Sequence, residues 1–134
     1  MCGIIGTIPS TERNFFENAL NTLYHRGPDG YGIETINNDI TLGHRRLSIV
    51  DLTSNGSQPM LSESGRYCIV FNGEIYNFLE IRKKLEKKGH EFKSNSDTEV
   101  LLYSFIEWGE ECVLEFNGMW AFAVWDSQKK QLFL

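Results

Sequence analysis

The chain has 134 residues, 41% of them hydrophobic and 13% aromatic, and a net charge of −5 from 13 basic and 18 acidic side chains. That is one domain's length with enough apolar side chain for a core, which excludes disorder, and its basic residues gather only in RKKLEKK, which argues against nucleic acid as a partner. No apolar run approaches the roughly 20 residues that span a bilayer, and no basic leader precedes a hydrophobic segment, so a cytoplasmic protein away from membranes is expected.

In chain order, CGIIGTI reads as a strand that begins at Cys2, and ERNFFENALNTLYH as a helix with Phe16, Leu20 and Leu23 on one face. RGPDG is a turn by composition, with Gly27, Pro28, Asp29 and Gly30 forming a rigid piece that positions backbone. YGIETI, the corner Asn37, Asn38, Asp39, and ITLGHRRLSIV then suggest a hairpin. DLTSNGSQPMLSESG is a long polar loop, and RYCIVFNG a strand whose nearly continuous apolar character predicts cover on both faces.

Two helices follow, their starts marked by Asn77 with Glu80 and by Ser96 with Glu99, spacings that let side chains satisfy orphan backbone donors reciprocally. In the first, Phe78, Ile81 and Leu85 face a core while Arg82, Lys83, Lys84, Lys87 and Lys88 face water; the second, TEVLLYSFIEWG, is apolar over a wider arc. MWAFAVWDSQKKQLFL gives a strand, a polar turn and an apolar strand with nothing after it, so a longer parent chain is expected. Antiparallel strand groups with helices between them predict a layered α+β protein. Neither a dinucleotide fingerprint nor a phosphate loop is present.

Three cysteines, Cys2, Cys68 and Cys112, are an odd count with neither disulfide nor tetrahedral metal spacing. Cys68 and Cys112 sit in apolar stretches and read as structural. Cys2 has two readings. It is a small hydrophobe at a buried strand start, or, once Met1 is removed, a residue carrying a thiol and a free α-amine, and an α-amine titrating near ~8 can serve as base to its own thiol. Gly3 beside it allows close approach.

Asn72-Gly73 is ordinarily a turn signal, yet it also supplies a side-chain amide and an accessible N–H, the two donors that an oxyanion site needs. Glu74 follows directly. Asp97, at the first helical position after Ser96, either complements the helix dipole or anchors an ammonium. Arg45 and Arg46 alternate on a strand and point to opposite faces, so that one can face solvent and the other clamp a carboxylate bidentately. His44 and His25 read as hydrogen-bonded structural histidines, and Trp108, Trp120 and Trp125 as core or interface residues.

MCGIIG, HRGPDGYG, LGHRRLSIVDL, QPM, FNGEIYN, SNSDTEVLL and FNGMWAFAVWD, in that order, resemble the glutamine-hydrolysing domain of the class II (N-terminal nucleophile) amidotransferases, in the asparagine synthetase branch, over essentially the whole chain. The resemblance implies a four-layer αββα sandwich of two antiparallel sheets, here as a partial domain, with residues 1–134 as an N-terminal glutaminase unit. It makes Cys2 the nucleophile and Asn72 and the Gly73 N–H the oxyanion donors. Arg46 becomes the clamp for the glutamine α-carboxylate, Asp97 and Glu74 hold its amine and side-chain region, and Leu47, Ile49 and Val50 line the pocket.

The implied reaction is glutamine hydrolysis to glutamate and ammonia through a γ-glutamyl thioester. The ammonia would pass to a C-terminal ATP-using synthetase domain of the same chain, absent here, which would amidate aspartate. No cofactor or metal is implied in this segment; ATP and Mg2+ belong with the missing domain, and homodimerisation stays open. Relatives with the same front end can aminate other carboxylates, such as sugar acids. A noncatalytic module on the same fold would be indifferent to Cys2, and an acylase-like N-terminal-nucleophile hydrolase would need no pairing of Arg46 with Asp97.

Overall fold

Groups of strands and helices succeed one another through residues 2–48 and 54–134, the part of the chain that the computed structural model describes. β1 (Gly3–Thr7) and β2 (Gly30–Ile36) flank β3 (Ile40–Arg46) in an antiparallel sheet of order β1-β3-β2. β2 and β3 form the expected hairpin, and Asn37 takes its positive φ of 51° at the corner, a conformation that asparagine tolerates better than most residues. The second sheet runs β4 (Met60–Leu61), β5 (Tyr67–Ile75), β6 (Gly118–Asp126), β7 (Gln131–Phe133), again antiparallel throughout.

Strand alternation divides the apolar residues between two cores. Ile40 and Leu42 of β3 meet Cys68 and Val70 of β5 and Ala123 and Trp125 of β6, which fills the space between the sheets. The opposite faces of β5 and β6, through Ile69, Phe71, Phe122 and Val124, pack on α2 (Phe78–Glu86) and α3 (Asp97–Trp108) by way of Ile81, Leu85, Val100 and Leu101. β5 is therefore covered on both faces, as its continuous apolar run predicts. On the far side of the first sheet lies α1 (Arg13–Asn21), whose buried Phe16 puts a ring atom 2.6 Å from where a Cβ on Gly43 would stand. The order is helix, sheet, sheet, helices: the four-layer α+β sandwich. None of the described helices is long and apolar enough to cross a membrane.

Several local expectations are corrected. β1 starts at Gly3, and β3 ends at Arg46, short of the expected end, because the Leu47 N–H turns to Cys2 and the Ser48 N–H to Asp29. The expected α1 stops at Asn21, and a separate 3-10 turn, Tyr24–Arg26, carries the chain on. β5 passes straight through Asn72-Gly73, which pair with Ala121 and Trp120 of β6, so this dipeptide is no turn. The two-residue β4 lies within the segment read as loop.

At the start of α2 the Asn77 side chain makes no cap. It accepts from the Asn117 N–H at 2.8 Å and donates to the Glu115 carbonyl at 2.9 Å, tying the helix to the approach to β6. At α3 only half of the reciprocal cap forms. Ser96 accepts from the Glu99 N–H at 3.3 Å, but the Glu99 carboxylate serves the Lys93 and Ser94 N–H groups at 2.9 and 2.7 Å. Arg82 does not stand in water: its guanidinium lies 4.5 Å from the Phe92 ring centroid and donates to the Ser94 carbonyl at 2.8 Å.

Candidate active site

The layer between the sheets changes character along its length. Ile40 and Leu42 on β3 are followed on the same face by His44 and Arg46, and Cys68 and Val70 on β5 by Asn72 and Glu74. Where the apolar rows turn polar the layer opens into a cleft of about 540 Å³. Cys2 and Leu47, just outside the ends of β1 and β3, line it on one side, Asn72, Gly73 and Glu74 from the second sheet, and Asp97 and Thr98 from the start of α3. Segments distant in sequence thus deliver their polar groups to one space. Ile49 and Val50 lie outside the described residues, as does Met1.

Cys2 is half-buried and fixed from both sides. Its carbonyl accepts from Arg26 Nε at 3.3 Å, and its Sγ lies 3.4 Å from the Leu47 N–H that donates to it and 3.7 Å from the Leu47 carbonyl. Leu47 is itself set by the Gly-Pro-Asp-Gly turn: the Asp29 N–H donates to the Arg46 carbonyl at 3.0 Å, and Asp29 Oδ2 accepts from the Ser48 N–H at 2.8 Å. Only glycine permits that approach at position 27, where a Cβ would stand 2.4 Å from the Arg45 carbonyl carbon. The turn positions backbone, as its composition suggests. Gly3 plays a different part from the one expected: the space beside it is taken by Leu23, whose Cβ would lie 3.1 Å from an added methyl.

Gly73 has no room for a side chain either, since a Cβ there would meet the Met119 carbonyl oxygen at 2.4 Å and Trp120 Cα at 2.6 Å. Asn72 lines the cleft, and its Oδ1 is buried without a hydrogen-bond partner among the described residues. Asp97 is buried, and its Oδ2 accepts from the Ile75 N–H at 3.1 Å. Burial raises its pKa above the usual carboxylate range, backbone N–H groups oppose that, and the neighbouring Glu74 charge adds to it. A buried carboxylate with a raised pKa and an exposed second carboxylate beside it make a place for a cation. Arg46 lines the same cleft and supplies the opposite sign.

Arg45 does point to the other face, but not into solvent. It is buried against α1, bonded to Asn21 Oδ1 and the Leu20 carbonyl, with its guanidinium 5.3 and 5.0 Å from the ring centroids of Tyr24 and Tyr31. Cys68 and Cys112 are fully buried, and burial pushes their pKa values up to about 12 and about 11, which leaves them inert. His25 is hydrogen-bonded as expected, its Nδ1 3.1 Å from the Thr22 carbonyl. Trp125 belongs to the core, while Trp120 packs edge-on against Phe116 at 5.6 Å and also lines the cleft.

His44 departs from the expectation. It is 1% exposed, and neither ring nitrogen meets a hydrogen-bond partner of good geometry among the described residues. Burial, then the Arg46 charge, lower its pKa to about 4, against a weaker pull from the Phe71 backbone, so the ring is neutral at pH 7. Two further residues of the cleft escaped sequence reasoning. Gln58 Nε2 donates to Thr98 Oγ1 at 3.0 Å and its Oε1 accepts from the Phe71 N–H at 2.6 Å, which ties the loop before β4 to both β5 and α3. Only the QPM triplet marked that loop. Among the described residues no three His, Cys, Asp or Glu side chains cluster as a metal site would require.

The chain is 42% identical over 140 residues to glutamine-hydrolysing asparagine synthetase 3 of Bacillus subtilis (strain 168), covering 99% of this chain and 22% of that protein. It is 39% identical over 135 residues to a glutamine-hydrolysing asparagine synthetase of Zea mays, covering 97% and 22%. The chain thus spans about a fifth of the length of these relatives. Among solved structures, glutamine phosphoribosylpyrophosphate amidotransferase from B. subtilis superposes on 92% of this chain and 35% of its own with a TM-score of 0.76 at 20% identity, a likeness of fold that bears out the layered sandwich. The family model described as a glutamine amidotransferase domain matches residues 1–134, and the chain belongs to that family.

Proposed function

We propose that this segment hydrolyses glutamine to glutamate and ammonia through a γ-glutamyl thioester on Cys2. What carries the reading is the convergence on one cleft of a thiol, an amide beside a glycine N–H, an arginine and a buried carboxylate. After removal of Met1 the Cys2 amine takes the thiol proton, and the sulfur attacks the side-chain amide carbon of glutamine. Asn72 and the Gly73 N–H receive the oxyanion. The α-ammonium of Cys2 returns a proton to departing ammonia, and water then cleaves the thioester. Arg46 clamps the α-carboxylate of glutamine, while Asp97 and Glu74 hold its ammonium; Leu47, and with it Ile49 and Val50, line the pocket.

On this reading the ammonia serves an ATP- and Mg2+-using synthetase domain further along a longer cytoplasmic chain. The names of the relatives favour aspartate as the acceptor, and another carboxylate, such as a sugar acid, is the second reading. The steady-state kinetics of the full-length protein test the assignment. Asn72→Ala lowers kcat for glutamine hydrolysis by roughly 10²–10³, whereas Arg46→Ala raises KM for glutamine. An unchanged dependence of rate on glutamine in Arg46→Ala excludes the clamp and favours an acylase-like enzyme; unchanged kcat in Asn72→Ala excludes the oxyanion site.

A further inference from the structure

His44 and Asn72 pose one problem together. Both ring nitrogens of His44 and the side-chain oxygen of Asn72 are buried without a hydrogen bond of good geometry among the described residues, and both residues line the same cleft. They stand in facing rows of the inter-sheet layer, His44 following Leu42 on β3 and Asn72 following Val70 on β5. The backbone of Phe71, the residue before Asn72, is the polar group that the imidazole meets. Buried polar groups are paired almost without exception in folded proteins, so unpaired groups that line one cleft from facing sheets call for a shared bond.

A carboxamide is ambiguous in a way that matters here. An oxyanion site needs its NH₂ turned to the cleft, and the reverse orientation would present an oxygen that repels the developing charge. We propose that His44 is the positioning residue that fixes this choice: one ring nitrogen supplies a hydrogen bond to Asn72 Oδ1, directly or through one bridging water, which leaves the Asn72 NH₂ facing the reacting carbonyl. The proposal rests on the glutaminase reading above. A neutral imidazole suits the task, because it offers a donor without placing a second cation beside Arg46. A purely structural role does not account for a ring that, among the described residues, meets the Phe71 backbone but makes no hydrogen bond of good geometry.

The test is a double-mutant cycle on glutamine hydrolysis in the full-length, Met1-free protein. His44→Ala is expected to lower kcat roughly tenfold to a hundredfold, less than loss of the Asn72 donor itself, with KM for glutamine little changed because Arg46 and Asp97 are untouched. His44→Gln, which keeps an N–H donor, is expected to recover part of that loss. In an Asn72→Ala background the His44→Ala change should cost almost nothing further, since its effect runs through the amide that is gone. Losses that multiply overturn the proposal.

Should the His44 variants fail to fold, a high-resolution crystal structure of the wild-type protein decides. A His44 ring nitrogen bonded to Asn72 Oδ1, or to a water on it, is expected; an Asn72 oxygen turned into the cleft overturns the inference. If the wild-type protein neither hydrolyses glutamine nor reacts at Cys2 with a glutamine analogue, the underlying reading fails instead. The two failures are therefore distinct.

Discussion

Asp97 concentrates the electrostatics of the site at the level of a single side chain. Burial raises its pKa, so between the ordinary carboxylate range and that raised value the folded protein holds a proton that the unfolded chain has lost. Ionised Asp97 therefore costs stability as pH rises through this window, and a bound ammonium offsets the cost. Arg46 and Glu74 line the same space, and the ammonium of glutamine keeps its charge through this window. The apparent affinity for glutamine is accordingly expected to weaken on acidification, beginning above the usual carboxylate range and approaching about tenfold per pH unit below the Asp97 pKa. Asp97→Asn should bind glutamine weakly at every pH. A pH-titrated KM for the two proteins checks this, and a wild-type KM that stays flat across the window removes Asp97 from ammonium binding.

The residues that reach the cleft divide by how far their placement depends on other segments. Cys2, Asn72, Arg46 and Asp97 were legible because each carries a local sign: a place directly after the initiator methionine, an Asn-Gly dipeptide, strand alternation, and a helix first turn. His44 and Gln58 were not, since their place depends on packing one sheet over the other and on tying a loop to α3 across 40 residues. A histidine on a strand carries no local sign that its ring nitrogens will be left without partners.

At the level of elements, strand alternation and helix periodicity located both cores, whereas boundaries failed wherever a distant group competed with local chemistry. Asn77 is the clearest case: as an isolated signal it is a cap, but Glu115 and Asn117 claim both ends of its amide. Asn77→Ala is therefore expected to cost about 1–2 kcal/mol by unfastening α2 from the approach to β6, with isolated α2 peptide helicity little affected. Comparing chemical denaturation of the protein with circular dichroism of the peptide separates the two. Equal losses in both would restore the cap.

The Gly-Pro-Asp-Gly turn is the second case, a short element whose work is done on the end of β3. Asp29→Ala removes the acceptor for the Ser48 N–H, loosens Leu47, and so disturbs the donor aimed at Cys2 Sγ. A fall in kcat greater than the fall in stability explains is the expected outcome; a variant with wild-type turnover would mean that Cys2 holds its place without the turn.

For the molecule as a whole, two sheets stacked between helices leave the inter-sheet layer closed at one end and open at the other. The open end is the cleft. Near the junction of β5 and β6 the far side is locked by Arg66, which donates to both Asp126 oxygens at 3.0 and 2.6 Å, while the Asp126 Oδ1 also accepts from the Gln128 and Lys129 N–H groups. The Arg66 bond is the main reason that the Asp126 pKa falls to about 2, against ~3.9 in an unfolded chain. This stabilisation is complete above the unfolded value and is lost as pH drops through about 2. Asp126→Asn should lower the Tm at pH 7, with the gap to wild type closing toward pH 2; a constant gap would assign the loss to packing.

The central claim concerns Cys2, and alkylation by a diazo ketone analogue of glutamine reaches it most directly. In the full-length protein freed of Met1, intact mass and peptide mapping should find one adduct, on Cys2, that excess glutamine prevents, while protein retaining Met1 stays unmodified because its base is tied up in a peptide bond. A folded, Met1-free protein that forms no adduct, or one whose Cys2 is labelled at the same rate with glutamine present, would contradict the glutaminase assignment.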